Sequence, residues 1–183
     1  MTDKLPDFTE SRLSSKTVYD GNLLHVLEDQ VRLPDGKTAR REYILHPGAA
    51  MMVPFLDPDT VVLVRQYRYP LARHFYEIPA GKIDRGEEPL AAARRELREE
   101  CGYEAGEWRR LATIHPGIGY SNETIELYLA RNLTHVGRAL DDEEFLEVVN
   151  VQFDEALAWV REGKITDQKT VIGLLWVATF LNK

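Results

Sequence analysis

Between Gly81 and Tyr103 the chain reads GKIDRGEEPLAAARRELREECGY, and this stretch limits its folding more tightly than any other. Proline suits the first turn of a helix and glycine the residue that ends one, so Pro89 and Gly102 bracket a helix. At about 100° per residue, Leu90, Ala93, Leu97 and Cys101 fall on one side and form a stripe that needs burial. Glu96, Glu99 and Glu100 share an arc of roughly 100° on a neighbouring side. Ala92 lies one turn before them and leaves room above the carboxylates. Arg94, Arg95 and Arg98 take the remaining side.

Glu96 with Glu100 and Glu96 with Glu99 are like-charge pairs on one helix face, each costing about 0.2–0.5 kcal/mol in isolation. Divalent cations reverse that cost, because hard cations such as Mg²⁺ are held by carboxylate oxygens. Arg95 stands four residues before Glu99 and is placed to orient it. Glu87 precedes the helix, where a carboxylate also suits the positive end of the dipole. Gly81 and Gly86 imply a tight loop that brings backbone close to the acids. For three glutamates on a helix alone, a charged surface helix is the competing reading, and the two glycines shift the balance.

The remaining residues bound the class of protein. With 183 residues, 44% hydrophobic and 29% charged, the chain has the length and composition of one sizeable globular domain, or a domain with a small appendage. A net charge of −7 argues against a general nucleic-acid binder. No apolar run approaches the roughly 20 residues of a membrane span, so no membrane partner is expected. The first residues, MTDKLPDFTESRLSSK, lack the apolar core of a signal peptide. Cys101 is the only cysteine, which excludes an intrachain disulfide and fits a reducing cytoplasm. The five histidines show no metal-ligand spacing and are assigned no metal.

Residues 1 to 16 are polar and expected to be loosely ordered until they meet a partner surface. Val18 to Leu45 reads as strands, with a turn at Leu33-Pro34-Asp35-Gly36. Ala49 to Phe55 and Thr60 to Tyr67 are two further strands around the turn Asp57-Pro58-Asp59, and the run of aliphatics at 61 to 64 reads as buried on both faces. Another strand leads through His74 to Ile78 into Pro79-Ala80-Gly81. Later strands are expected at Trp108 to Ile114, Thr124 to Ala130 and Phe145 to Val151. Asp154 is expected to cap a helix running to Arg161. The segment from Asp167 to Leu181 reads as an amphipathic closing helix with Val171, Leu174, Leu175 and Ala178 on its face.

The stretch from Gly81 resembles the Nudix box, Gly-x5-Glu-x7-Arg-Glu-U-x-Glu-Glu-x-Gly-U with U a bulky aliphatic. Gly81, Glu87, Arg95, Glu96, Leu97, Glu99, Glu100 and Gly102 match at the right spacing, and only Tyr103 departs. The resemblance implies an α/β (α+β) fold: a Nudix α/β/α sandwich with a mixed sheet, plus a small N-terminal antiparallel sheet. It implies hydrolysis of a nucleoside diphosphate linked to another moiety, with Mg²⁺ held by the box and Mn²⁺ as a substitute. Glu96 and Glu100 are then the metal ligands, with Glu99 beside them as ligand or catalytic carboxylate and the Ala80 carbonyl completing a shell. Glu87 and Arg95 fix the loop and the carboxylates.

Outside the box the chain is similar to the ADP-ribose pyrophosphatase branch. The passages are VRQYRYP at 64 to 70 with FYEIPAGKID at 75 to 84, HPGIGYSNETIELYLA at 115 to 130, and DDEEFLEVVNV at 141 to 151 with the segment after it. The branch implies that Arg68 contacts the substrate diphosphate; the alternative is a surface arginine. It places Arg40 and Arg41 where they reach a partner subunit's phosphate. Glu77 is read as a hydrogen-bond partner of a ribose or base edge, or else in a capping or salt-bridge role. In the acidic loop, Glu144 aligns with a metal ligand, and Asp142 or Glu143 with the general base; a solvated acidic turn is the other reading.

The expectation is a cytoplasmic, Mg²⁺-dependent hydrolase of ADP-ribose, or of a related nucleoside diphosphate sugar. Residues 1–45 form a dimerising β segment and residues 46–183 the hydrolase domain of a homodimer. The rivals are a GDP-mannose or dinucleotide pyrophosphatase, and a Nudix-like regulator that has lost catalysis.

Overall fold

Met51 and Met52 are adjacent and both fully buried, but they belong to different interiors. The reason is the two-residue period of a strand, which sends successive side chains to opposite faces. The computed structural model that shows this describes residues 5–138 and 145–181. The chain divides into two units, Met1–His46 with Gly117–Glu123, and Pro47–Pro116 with Thr124–Lys183.

The first unit is a meander of β1 (Ser11–Asp20), β2 (His25–Arg32) and β3 (Thr38–Leu45), antiparallel throughout. The expected turn joins β2 to β3: Leu33 N–H donates to Lys37 O at 2.8 Å, and the Asp35 carboxylate accepts from Lys37 N–H at 3.0 Å. The segment Gly117–Glu123 is stitched to β3 through Ile44 N–H to Tyr120 O at 2.8 Å and His46 N–H to Asn122 Oδ1 at 2.8 Å. One expectation is corrected here. Residues 1 to 16 are not all loosely ordered, because Ser11 already pairs with Arg32 and Lys16 with Glu28. Every residue of β1 is exposed, so no burial pattern announces the strand, and its ladder to β2 carries it.

The second unit holds two sheets. In one, β7 (Ala80–Lys82), β4 (Ala49–Pro54), β9 (Ile125–His135) and β8 (Tyr103–Ile114) lie in that order, with β4 and β9 parallel and the other pairs antiparallel. In the other, β10 (Leu146–Gln152), β5 (Thr60–Arg68) and β6 (Arg73–Glu77) are antiparallel. Ala50, Met52, Val62 and Val64 pack with Ala92, Ala93, Leu97 and Cys101 of the helix that begins at Pro89. Met51, Val53, Val61 and Leu63 face the other way, towards Phe153 and Ala156 of α2 (Phe153–Arg161) and Leu174 and Val177 of α3 (Gln168–Phe180). The central strands are therefore covered on both faces, which is the expected α/β/α arrangement with a mixed sheet. Each large aliphatic so enclosed contributes about 1.5–3 kcal/mol.

Two local expectations change. Asp154 does not cap α2; it stands in the first turn, and Gln152 occupies the cap position. Phe153 sets the start instead, buried against Phe55 with ring centroids 5.1 Å apart, its N–H bonded to Asp59 O at 2.7 Å. On α3 the buried side is Thr170, Gly173, Leu174 and Val177, while Leu175 and Ala178 are exposed. The helix is apolar nearly all round, so spacing does not choose its inner face. The choice follows from tertiary bonds at its first turn.

Candidate active site

Short β7 leads through a loop into α1 (Pro89–Glu96), which widens into a π-turn over Leu97–Cys101. Gly102 ends it in the left-handed region at φ 74°, its N–H shared between Arg98 O and Leu97 O. The wider turn changes the angular step between residues just where Glu99 and Glu100 stand. Such turns occur frequently at functional sites.

The loop is closed by one carboxylate. Glu87 Oε2 accepts from Asp84 N–H at 3.0 Å, and Glu87 N–H donates to Asp84 O at 2.9 Å. Arg95 then ties loop to helix. Its Nε and Nη2 donate to Glu87 Oε1 and Oε2 at 3.0 and 3.1 Å, and Nη2 also to Lys82 O at 3.0 Å. Its Nη1 donates to Glu96 Oε1 at 2.7 Å and Glu99 Oε2 at 2.9 Å. The fork from Arg95, helped by Asp84 N–H, holds the Glu87 carboxyl below its ordinary range. The same bonds, Glu87 first, push the Arg95 guanidinium up. One guanidinium therefore sets the rotamers of three carboxylates.

Glu96 and Glu100 are buried, 8% and 4% exposed, although both are acids. Glu100 Oε2 accepts from Ala80 N–H at 3.2 Å. A Cβ on Gly81 would overlap the Glu96 carboxylate, so β7 passes over that oxygen as only glycine can. Cys101 is buried on the apolar side, and burial pushes its thiol well up, which leaves it a small hydrophobe. The donor chemistry suits a hard divalent cation: buried, orientated carboxylate oxygens beside backbone at Ala80. Among the described residues, no three His, Cys, Asp or Glu side chains stand ready-grouped around one point, and Arg95 bonds Glu96 and Glu99 instead.

Arg68 ends β5, and its Nε and Nη2 donate to Glu77 Oε1 and Oε2 at 2.7 and 2.6 Å. The bond to Glu77 raises its pKa despite burial, and the charges of Asp167 and Glu100 add to the rise. Arg68 thus lies within electrostatic reach of the carboxylate helix. Glu77, 3% exposed, is engaged by Arg68 and by Lys169 Nζ at 3.3 Å. A cavity of about 230 Å³ opens here, lined by Arg68, Glu77, Thr166, Asp167 and Lys169 among others. Lys169 and Asp167 were missed as site residues by sequence reasoning. The only signal is that Asp167 precedes a helix, and nothing in the spacing joins it to residue 77.

Arg40 and Arg41 lie in the first unit, where Arg40 pairs with Glu28 at 3.3 Å and Arg41 grips both oxygens of Glu10. Asp142, Glu143 and Glu144 lie outside the described residues.

The profile of the NUDIX domain matches residues 45–171, and that of the nucleoside diphosphate sugar hydrolase N-terminal domain matches residues 10–44. The chain is 37% identical over 172 residues to the methanol dehydrogenase activator of Bacillus methanolicus, covering 93% of each. It is 34% identical over 170 residues to the ADP-ribose pyrophosphatase of Bacillus subtilis (strain 168), covering 92% of each. A solved structure of an ADP compounds hydrolase superposes with a TM-score of 0.86 at 24% identity, covering 97% of each chain, and shows a shared fold.

Proposed function

The chain belongs to the Nudix hydrolase family, and from that premise we propose that it hydrolyses the diphosphate of ADP-ribose, giving AMP and ribose 5-phosphate. The observation that carries this is the pair of buried carboxylates, Glu96 and Glu100, held under the Ala80–Gly81 backbone beside the Arg95 clamp. The relative named as an ADP-ribose pyrophosphatase supports the choice of substrate.

In this reading Glu96 and Glu100, with Glu99 and the Ala80 carbonyl, hold Mg²⁺, for which Mn²⁺ substitutes. A divalent ion there neutralises diphosphate charge and lowers the pKa of bound water. The chain's own residues do the rest. Arg95, itself held by Glu87, keeps Glu96 and Glu99 together on one side of the helix. Arg68 holds the diphosphate by charge-assisted hydrogen bonds. Water attacks a phosphorus, the bond to the bridging oxygen breaks, and a carboxylate of the 141–144 loop, Asp142 or Glu143, takes the proton. Glu144 of that loop serves as a further metal ligand.

The protein works in the cytoplasm as a homodimer through residues 1–45, leaving residues 46–183 as the hydrolase domain. The exposed apolar side chains of Leu13, Val18 and Tyr19 on β1 favour that association, with Arg40 and Arg41 offered to the partner's substrate. The similarity to a methanol dehydrogenase activator favours a second reading, in which the same site serves a dehydrogenase. A dehydrogenase assay with and without this protein separates the two.

The direct test is a screen of nucleoside diphosphate sugars, GDP-mannose included, with Mg²⁺ and a coupling phosphatase that frees phosphate only from the monoester products, comparing the parent with Glu100→Gln. The expected result is turnover of ADP-ribose by the parent and its loss in the variant. A parent inert on every substrate would sink the proposal, and equal turnover by both would sink the metal assignment.

A further inference from the structure

The last residue of β6 and the first turn of α3 meet through charged groups that the reaction as described does not use. Glu77 receives the Nε–Nη2 edge of Arg68 and also Lys169 Nζ. Lys169 Nζ donates in turn to Asp167 Oδ1 at 2.7 Å. Asp167 caps α3 by accepting from Thr170 N–H at 3.0 Å and from the Thr170 hydroxyl at 2.7 Å. The same hydroxyl accepts from Ile78 N–H at 2.8 Å, next in the chain to Glu77. Glu77, the last residue of β6, and Ile78 just after it are thus fastened to two adjacent residues of α3.

The charges balance. Glu77 and Asp167 are countered by Arg68 and Lys169, all four around one cavity. Glu77 occupies one edge of the Arg68 guanidinium. The opposite edge, Nη1 with the second N–H of Nη2, has no acceptor among the described residues, and the side chain is 44% exposed. A guanidinium edge is a two-pronged donor matched to phosphate oxygens. Without Lys169, two carboxylates would draw on a single arginine, and its pull on an outside anion would weaken.

We infer that Lys169 is a positioning residue for substrate: it neutralises Asp167, shares Glu77, and leaves the outer edge of Arg68 presented to a diphosphate. The inference rests on the reading of Arg68 as the diphosphate contact. It makes the start of α3 part of the binding apparatus although Lys169 itself touches no substrate.

The experiment is a double-mutant cycle on the full chain with ADP-ribose and Mg²⁺. Lys169→Met is expected to raise KM about tenfold and leave kcat within a factor of about two. Lys169→Arg restores KM. In an Arg68→Ala background, Lys169→Met adds nothing further, because its effect passes through the missing arginine. Inorganic pyrophosphate binding in EDTA, followed by calorimetry on the same variants, gives a readout independent of turnover. If Lys169→Met proves too unstable to purify, Lys169→Gln is measured by the same criteria. An unchanged KM with only a lowered Tm would make Lys169 structural and overturn the inference. Multiplying effects of the two substitutions would make it a direct contact and overturn it too. If the parent fails to hydrolyse ADP-ribose but pyrophosphate binding shows the coupling, the substrate reading falls and the inference stands. If the parent shows neither turnover nor pyrophosphate binding, both fall.

Discussion

Arg95 grips Glu87 with both prongs of its guanidinium, 3.0 and 3.1 Å to the two carboxylate oxygens, across the loop that leads into α1. The remaining nitrogen reaches Glu96 and Glu99, so one side chain fixes a loop and a helix face together.

Arg95→Lys keeps the charge but loses that geometry, since an ammonium cannot bond Glu87, Glu96, Glu99 and Lys82 O at once. Activity is expected to fall about 10- to 100-fold, as on loss of groups that orient metal ligands, and the Mg²⁺ requirement to rise. Initial rates across a Mg²⁺ titration measure both. A parent-like curve would remove Arg95 from its positioning role.

Gly81→Ala puts a methyl group where the Glu96 carboxylate lies. The expected cost is about 1–3 kcal/mol of stability, as for overpacking elsewhere, and activity falls because Glu96 must move. Urea denaturation and rate are compared on one preparation. Full activity with unchanged stability would mean that the close approach of β7 has no consequence.

Asp167 links stability to pH. Burial raises its pKa, but the charge of Lys169 and hydrogen bonds from Lys169 and Thr170 outweigh burial and hold it below the ordinary 3.8. A depressed value in the folded state means that protonation favours unfolding. Its stabilisation is therefore complete above the unfolded value and is lost as pH falls through the folded one. Asp167→Ala should cost about 1–2 kcal/mol at neutral pH through the lost cap, and the gap from the parent should narrow in acid. Urea midpoints at a series of pH values check the sign; a gap that widens in acid would refute it.

Tyr19→Glu places a charge on the exposed β1 surface proposed to join two copies. The parent should sediment as a dimer at micromolar concentration and the variant as a monomer. A monomeric parent would end the dimer proposal.

Much of this was legible in the sequence for a definite reason. The box has fixed spacing, so Glu87, Arg95 and the helix glutamates could be placed together at one loop and helix, and the aliphatic run at 61 to 64 announced a strand covered twice. The Glu77–Lys169 bond was not legible, because it joins residues 92 apart that no local period connects. Glu77 was read as facing substrate or forming a salt bridge, and the salt bridge is the arrangement observed. The inner face of α3 was misjudged because apolar residues surround the helix. The first half of β1 was read as loosely ordered because a strand held by its ladder alone leaves no apolar alternation.

The alternation that sends Met51 to one interior and Met52 to the other has a consequence for how β4 tolerates change. Deleting one residue from β4 would shift its register and hand each interior the other's side chains. Both the helix that carries the carboxylates and the helix that anchors Lys169 would lose their fit at once. A substitution in β4 disturbs only the interior its side chain enters, whereas a change in the strand's length disturbs both.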